Sequence, residues 1–438
     1  MEFKPFRAFR FDSAVVGDVG SCIAPPYDVI SEAQQQRLYE KSSYNIVRIT
    51  KGKTTASDTE SNNQYTRAAE YFNSWIEEGV LKQDSDETVY SYVQDFELAG
   101  VSFRRLGFIA LAKLEEFGPR GRVRPHEYTF DEPKIDRLNL KRATSAEFGL
   151  VFMLYEDEQR IADRIIENTA REKPLIDFVD EQSVRHRLFA VTAKRDIEAI
   201  SKMMLDKSCI IADGHHRYEA ALNYYRQTGN PAAQYQMAAF VNTRHEGLVI
   251  LATHRLVSNL ERFDFEKLLG ELTQKFEITE YRFDSPKAAA QAGQKMLAQM
   301  NTEQGRGGSA FGIFAGGGAF YVAALKDGSA MDSAAPDMSS AWKSLDVFVL
   351  HKLILEGILG IDEKKLAEGA NIEYVKGAGD EIDELIAKVD SGQKQVVFFM
   401  NPPKMQQIRM VTEVGEKMPQ KSTYFYPKMY TGLTINKL

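Results

Sequence analysis

The sequence has few cysteines and no long apolar run. Cys22 and Cys209 are the only cysteines among 438 residues, so a disulfide framework and a four-cysteine zinc site are both excluded. No apolar stretch approaches the roughly 18 to 20 residues that cross a bilayer. The N-terminal MEFKPFRAFRF also lacks the apolar core of a signal peptide. We therefore expect a cytoplasmic protein with no membrane partner.

An excess of positive charge is also absent. The formal net charge is -7, which argues against a nucleic-acid partner, because such surfaces are basic. The balance of 43% hydrophobic and 27% charged residues is that of an ordinary globular protein. A chain of this length exceeds one typical core, so two or three domains are expected.

Helix and strand patterns mix along the chain and predict an α/β (α+β mixed) fold in three segments. These are an N-terminal α+β segment at residues 1–115, a middle segment at residues 116–258, in which we expect the core that the motifs below characterise, and a C-terminal α/β segment at residues 259–438. The final KSTYFYPKMYTGL is rich in aromatic residues. Because frayed tails are usually polar, we expect this one to be docked.

The strongest local signal is the run IADGHHRYEAA. Cys209–Ala212 has the pattern of a buried strand, and an amphipathic helix follows from His215 until Gly229 ends it. The first turn of a helix offers unpaired N–H groups and the positive end of the helix dipole to an anion. The run therefore predicts a phosphate cradle made of Asp213, Gly214, His215, His216 and Arg217.

The side chains of this cradle suit different tasks. Arg217 can bind phosphate oxygens in bidentate fashion. His215 or His216 can donate hydrogen bonds or transfer protons near neutral pH. Asp213 can hold Mg²⁺ or orient a histidine. The alternative interpretation is a solvated turn with two surface histidines.

Three further groups could converge on the cradle. Glu127 follows Pro125 in a loop and is a candidate general base, although a solvated loop acid fits the same pattern. His254 and Arg255 follow a strand and offer a second basic pair. Polar and basic side chains near the C-terminus could close over an anion, or could face solvent: Lys421, Ser422, Thr423 and Lys428.

A metal-dependent hydrolase is an alternative for the same region. His215 and Glu219 are spaced i, i+4 on one helical face, and His216 and Glu219 are spaced i, i+3. Either pair could bind a metal together with His126 or Glu127. The chain has no HExxH motif, so the remaining ligand would come from a distant part of the sequence.

Several motifs together resemble the domain-of-unknown-function family ten-fifteen (DUF1015), nearly from end to end. They are PFRAFR, APPYDVIS, PHEYTFDEPKIDRL, IADGHHRYEAA, THRLV, LDVFVLHKLILEGILGI and KSTYFYPK. The DGHHR run also resembles the phosphate-binding turn of the ParB/sulfiredoxin superfamily. Within that superfamily it is similar to the turn of ADP-dependent free-serine kinases. The resemblance implies a ParB/sulfiredoxin-like core in the middle segment.

The resemblance also implies a function in serine metabolism. A Mg²⁺-dependent phosphotransferase would move a phosphoryl group between an adenine nucleotide (ADP or ATP) and serine or O-phosphoserine, in either direction. Asp213 would help to place Mg²⁺ and phosphate, the residues from Gly214 to Arg217 would cradle the phosphoryl group, and His216 would take part in catalysis. Glu127 would take the proton from the serine hydroxyl. A phosphoserine phosphatase and a non-catalytic, nucleotide-binding regulatory protein are the alternatives.

Overall fold

The computed structural model describes residues 1–118, 121–377, 381–419 and 421–438. It divides the chain into two compact units. The first unit is Met1–Val249 together with Phe425–Leu438, and the second is Ile250–Tyr424. The predicted boundary near residue 115 falls inside the first unit, because strands on both sides of it belong to one sheet. The last residues of the chain belong to the first unit and not to a C-terminal segment.

The first unit is built on one large sheet. The strands of the unit are β1 (Phe3–Lys4), β2 (Phe9–Phe11), β3 (Leu81–Gln83), β4 (Val89–Leu98), β5 (Val101–Lys113), β6 (Val123–Pro125), β7 (Ala146–Glu147), β8 (Val151–Tyr155), β9 (Ile176–Val179), β10 (Arg185–Val191), β11 (Cys209–Asp213) and β12 (Tyr235–Asn242). Of these, β2 and β3 pair with each other in a separate two-stranded sheet, and β7 lies outside the large sheet as well. The order in the sheet is β6-β11-β8-β12-β5-β4-β10-β9, and β1 pairs with β5. β11 is parallel to β6 and antiparallel to β8.

Helices cover this sheet. They are α1 (Ser13–Val16), α2 (Glu32–Lys41), α3 (Val47–Thr50), α4 (Gln64–Glu77), α5 (Asp131–Thr144), α6 (Ile161–Thr169), α7 (Lys194–Met204) and α8 (His215–Thr228), with short 3-10 helices at Val19–Ser21, Tyr27–Val29 and Pro231–Gln234. Apolar side chains of α6, α7 and α8 such as Ile166, Ile200 and Ala221 pack into the main core with the sheet. α5 packs on α8 through Leu138 and Tyr224.

The second unit has its own sheet. Its strands are β13 (Val249–Val257), β14 (Phe276–Arg282), β15 (Ala310–Phe314), β16 (Ala319–Leu325), β17 (Ile372–Gly377) and β18 (Val396–Phe399), in the order β14-β16-β15-β18-β13-β17. Its helices are α9 (Phe265–Lys275), α10 (Pro286–Gly305), α11 (Ser329–Ala334), α12 (Ser340–Lys343), α13 (Asp346–Val349), α14 (Glu363–Glu368), α15 (Ile382–Asp390) and α16 (Met405–Glu413), and a π-helix covers Leu350–Glu356. β19 (Tyr424–Tyr426) and β20 (Asn436–Lys437) complete the chain.

The predicted mixed α/β class is confirmed by these two sheets and their helices. That the core is ParB/sulfiredoxin-like stays a prediction. None of the described helices combines the length and the apolar character that crossing a bilayer requires.

Candidate functional site

The DGHHR run forms a sharp turn between β11 and α8. Gly214 is the N-cap residue of α8, with φ +91°, and it has no side chain to cap the first turn of the helix. The first helical bond runs from the N–H of Tyr218 to the carbonyl of Gly214. A Cβ at Gly214 would lie 3.1 Å from Cζ of Arg217. Glycine is therefore required here both by the backbone and by the guanidinium packed against it.

Asp213, the last residue of β11, contacts two cations. One carboxylate oxygen accepts a hydrogen bond from Nη2 of Arg217 at 2.6 Å, and the other accepts one from Nζ of Lys428 at 2.7 Å. Burial alone would raise the pKa of the Asp213 carboxyl, but the charges of Lys428 and Arg217 outweigh burial and hold that pKa well below its usual range. The carboxylate thus stays ionised and fixes both cations at the N-terminus of α8.

Lys428 is presented by the C-terminal strap, which we define as Phe425–Leu438. The buried guanidinium of Arg105 donates hydrogen bonds to the carbonyls of Tyr426 and Pro427 and to the side-chain oxygen of Gln94. The amide nitrogen of Gln94 in turn donates to the carbonyl of Lys428 at 3.0 Å. β4 and β5 therefore hold the backbone from Tyr426 to Lys428, which fixes where the Lys428 side chain begins.

Both histidines of the run bind the loop that carries Glu127. The backbone N–H of His126 donates to Nε2 of His215 at 3.2 Å, and that of Phe130 donates to Nε2 of His216 at 3.0 Å. An Nε2 atom that accepts a hydrogen bond carries no proton. The two histidines therefore fix residues 126 to 130. Their role in cradling phosphate stays a prediction.

Burial favours the neutral form of two imidazoles in this region. It lowers the pKa of His216, and the nearby carboxylate of Asp28 opposes the shift only in part. Burial also lowers the pKa of His126, against the opposing charge of Glu127. Nδ1 of His126 lies 2.6 Å from the carbonyl of Ile211 and donates to it, which anchors the loop to β11 as well.

Glu127 lies on this clamped loop and is partly exposed. Its side chain is 28% exposed, and its carboxylate is 3.9 Å from Nε2 of His126. A carboxylate in such a position is reachable by a substrate while its backbone is held on both sides. The geometry is thus compatible with the predicted role of a general base.

The described residues do not offer a metal-ion ligand set in this region. Among them, no group of three or more His, Cys, Asp or Glu side chains is arranged to hold a metal ion. Glu219, which the hydrolase alternative requires, accepts a hydrogen bond from the hydroxyl of Thr129 and pairs with Lys134 at 3.4 Å. Both carboxylate oxygens of Asp213 are bound to cations. The residues present therefore do not fit a Mg²⁺ site centred on Asp213.

A small cavity adjoins Arg217. It is lined by residues from three separate motifs, among them Tyr27 of APPYDVIS, Arg137 and Lys141 of α5, and Thr431 of the C-terminal strap. The Arg137 guanidinium stacks 3.8 Å from the ring centre of Tyr27. Arg217 itself lines this cavity, which therefore adjoins the cation pair on Asp213.

The other predicted site residues lie in the second unit. His254 pairs with Glu381 at 3.1 Å, and Arg255 donates to the carbonyl of Lys421 at 3.2 Å. Ser422 and Thr423 follow Lys421 directly. Of the predicted C-terminal group, only Lys428 belongs to the first unit with Asp213.

Sequence reasoning missed Arg105 and Gln94. Both are about 1% exposed and lie on the paired strands β4 and β5, each next to an apolar residue. A charged residue inside an apolar strand is a usable signal, because burying an arginine is costly unless its donors are satisfied.

Comparison with known proteins identifies the family of this chain. The family model described as "Protein of unknown function (DUF1015)" matches residues 3–348, which confirms the predicted resemblance. No curated protein matches the chain.

Similar solved structures include a free serine kinase in complex with AMP, at 13% identity, covering 69% of this chain and 83% of that chain with a TM-score of 0.32. A conserved hypothetical protein from Pyrococcus furiosus shows 14% identity, 73% and 94% coverage and a TM-score of 0.31. SbnI with C-terminal truncation from Staphylococcus aureus shows 11% identity, 75% and 87% coverage and a TM-score of 0.35. These scores are too low to transfer a function. On its family match, the chain belongs to the DUF1015 family.

Proposed function

We propose that this protein is a phosphotransferase that moves a phosphoryl group between an adenine nucleotide and serine or O-phosphoserine. The observation that carries the proposal is the cluster of Asp213, Arg217 and Lys428 at the N-terminus of α8, beside the clamped loop of Glu127. Phosphoryl transfer asks a protein mainly for positioning and for charge stabilisation. This cluster can supply both.

Arg217 and Lys428 neutralise the transferred group. Their cationic atoms lie 2.6 and 2.7 Å from the two oxygens of one carboxylate, so Asp213 holds them at a fixed spacing. Phosphate oxygens arriving at the N-terminus of α8 would meet these two cations and the N–H groups of the first turn. The cations are preorganised, so little reorganisation is needed during the reaction.

Glu127 is the proposed general base. Its carboxylate takes the proton of the serine hydroxyl as the serine oxygen forms its bond to phosphorus and the bond from phosphorus to the nucleotide oxygen breaks. In the opposite direction, the protonated Glu127 returns the proton to the departing serine oxygen. His215 and His216 are positioning residues in this scheme, since their Nε2 atoms hold the loop backbone.

The cavity beside Arg217 is the proposed place for the amino acid. Its small size suits a compact acceptor, and Arg137 and Arg217 line it as possible partners for a carboxylate. The adenine nucleotide is assigned by the family resemblance. No step of the scheme passes through a metal ion, because the described residues do not fit one at Asp213.

Exchange of phosphate between O-phosphoserine and ADP in the presence of Mg²⁺ tests the proposal. Formation of serine and ATP would be followed by mass spectrometry, and the opposite direction would be started from serine with ADP or with ATP. Glu127→Gln should slow transfer by about 10² to 10⁴-fold, and Lys428→Met should also reduce it strongly. Glu132→Gln, an exposed acid of α5, is the matched control and should leave transfer unchanged.

Two other outcomes would contradict the proposed function, and a third would contradict only the role of Glu127. Release of free phosphate without nucleotide phosphorylation would indicate a phosphoserine phosphatase. Tight stoichiometric binding of nucleotide without turnover would indicate a regulatory protein. Equal activity of Glu127→Gln and Glu132→Gln would remove Glu127 from the mechanism while leaving the cation cluster in place.

The role of Asp213 can be tested separately by titrating Mg²⁺. If Asp213 only fixes Arg217 and Lys428, Asp213→Asn should lower the rate and leave the Mg²⁺ concentration for half-maximal rate unchanged. A large rise in that concentration would instead make Asp213 a metal ligand.

A further inference from the structure

Two exposed aromatic side chains lie beside the candidate site. Tyr128 is 54% exposed and Phe130 is 55% exposed. Among the residues that the structure describes, no other phenylalanine, tyrosine or tryptophan is exposed to this extent. Large apolar groups that stay exposed next to a polar site often mark a place where a ligand or a partner binds. We call Tyr128 and Phe130 the aromatic pair.

The backbone that carries the aromatic pair is held in place. The N–H of Phe130 donates to Nε2 of His216 at 3.0 Å, and the backbone of Phe130 is extended, with φ -97° and ψ 153°. Thr129 lies between the two aromatic residues, and its hydroxyl donates to the carboxylate of Glu219 on α8 at 2.9 Å. Because the loop is already ordered, little conformational entropy would be lost when a ligand packs on it.

The ring of Phe130 has a planar neighbour within the protein. It lies nearly parallel to the imidazole of His216, at an interplanar angle of 13° and a centroid distance of 6.5 Å. Burial lowers the pKa of this imidazole, which favours an uncharged neighbour for the ring. Since more than half of Phe130 stays exposed, the side chain has surface left on which a second planar group can stack.

Charges are distributed unevenly around the site. The cations Arg217 and Lys428 lie at the N-terminus of α8. The aromatic pair has acids as sequence neighbours instead: Glu127 precedes it, and Asp131, whose side chain is 90% exposed, follows it. Lys134 pairs with Asp131 and offsets part of this negative charge. An anionic group is therefore favoured at α8, whereas a neutral planar group suits the aromatic pair better.

The cations and the aromatic pair are close enough for one ligand to reach both. Asp213 binds both cations, and His216, which contacts Phe130, comes three residues later in the chain. Three residues span at most about 11 Å. A nucleotide has phosphates at one end and a neutral, planar base at the other, with a ribose between them. Its chemistry therefore matches the arrangement of charges and aromatic rings at this site.

We propose that the aromatic pair binds the base of the nucleotide by stacking, while the phosphates lie at the N-terminus of α8. The inference rests on the proposed function, because it locates the base of the nucleotide that this function requires. Tyr128 and Phe130 act in binding and take no part in the transfer itself. Removal of an aromatic side chain that stacks on a base weakens binding by about 5- to 150-fold. Stacking alone does not select adenine, because every base has a π face.

Calorimetric titration of the full chain with AMP and with ribose 5-phosphate tests the inference, because the second probe is AMP without its base. AMP should bind the wild type about ten-fold more tightly than ribose 5-phosphate, or better. Phe130→Leu and Tyr128→Ala should each reduce this advantage about five-fold or more. Phe130→Trp keeps an aromatic face and should retain it. Val101→Ala, at an apolar position of β5 that is 54% exposed, is the matched control and should retain it too.

The outcomes separate this inference from the proposed function. An advantage of AMP that survives in both Phe130→Leu and Tyr128→Ala would overturn the inference, and phosphate exchange by the wild type would still support the proposed function. An advantage that depends on both aromatic residues, in a protein without phosphate exchange, would support the inference and overturn the proposed transfer. Equal binding of AMP and ribose 5-phosphate by the wild type would overturn the inference.

Sedimentation analysis covers a different use of the aromatic pair. The inference predicts the same oligomeric state for the wild type and for Phe130→Leu. A dimer that dissociates in Phe130→Leu, with the advantage of AMP unchanged, would make the aromatic pair a contact between two copies of the chain and would overturn the inference.

Discussion

Nζ of Lys428 lies 2.7 Å from Oδ1 of Asp213, although 215 residues separate the two in the chain. The side chains are 12% and 13% exposed, so this is not a solvated surface ion pair. The contact joins the C-terminal strap to the turn between β11 and α8. It makes the charge at the N-terminus of α8 depend on two distant parts of the sequence.

Lys428→Met should destabilise the protein, because it removes one cation from a largely buried carboxylate. We expect a loss of about 3 kcal/mol in the free energy of unfolding, measured by urea denaturation. Lys113→Met is the matched control. Lys113 also pairs with a carboxylate, that of Glu2 at 2.8 Å, but the side chains are 35% and 44% exposed, so little change is expected. Similar losses in both variants would contradict a special role for the Lys428 contact.

Arg105→Met should release the C-terminal strap. The substitution leaves the carbonyls of Tyr426 and Pro427 without their buried donor, and we expect a loss of about 1 to 3 kcal/mol for each unsatisfied group. Limited proteolysis with mass spectrometry should show faster cleavage within the strap. Arg104→Met, at the neighbouring position, alters a side chain that is 60% exposed and should change neither quantity. Unchanged proteolysis of Arg105→Met would show that other contacts hold the strap.

The clamp on the Glu127 loop should weaken in acid. Because the pKa of His216 is lowered in the folded protein, the unfolded chain takes up a proton first, near the ordinary histidine pKa of about 6.5. Stability from this group is therefore complete above that pH and decreases as the pH falls below it. Protonation of Nε2 would also remove the acceptor for the N–H of Phe130.

His216→Gln separates these effects, since its side-chain oxygen can still accept a hydrogen bond but does not titrate. The free energy of unfolding of this variant should depend less on pH between about pH 7 and about pH 5. His216→Asn, whose amide is too short to reach Phe130, should be less stable at every pH. An unchanged pH dependence in His216→Gln would assign the acid sensitivity to other groups.

Gly214→Ala should lower the stability and the phosphate exchange rate more than Gly229→Ala, at the other end of α8. Gly214 and Gly229 both have positive φ, +91° and +61°, and a left-handed backbone costs alanine about 1 to 2 kcal/mol. Only at Gly214 would the new Cβ crowd the guanidinium of Arg217, whereas nothing lies within 4 Å of it at Gly229. Urea denaturation and the phosphate exchange assay should both show the difference. Equal stability and normal exchange in the two variants would contradict it.

The sequence was sufficient to predict the part of the site that neighbouring residues form. The apolar run of β11, the glycine and the amphipathic pattern of α8 act within a few residues of each other, so periodicity and turn chemistry predict strand, turn and helix in place. The mixed α/β class follows from the same patterns. The family followed from several motifs spread over the chain.

Periodicity and turn chemistry could not predict the contacts between distant segments of the sequence. Nothing in the spacing of KSTYFYPK indicates that Lys421 belongs to one unit and Lys428 to the other. The partners of His215 and His216 depend on how the loop after β6 packs on α8, which is a tertiary contact. Arg105 donates hydrogen bonds to backbone carbonyls of the strap. Every residue has a backbone carbonyl, so the sequence does not indicate which ones Arg105 binds. The boundary near residue 115 was placed inside a sheet because strand pairing cannot be seen from composition.

The discontinuity of the first unit has a consequence for biosynthesis. Its sheet is encoded before residue 250, whereas the strap that carries Lys428 is encoded after the whole of the second unit. Until the ribosome has translated the strap, Asp213 lacks one of its two cations and the carbonyl partners of Arg105 do not yet exist. Two charged groups of the first unit therefore lack these partners in the nascent chain until the whole of the second unit has been translated.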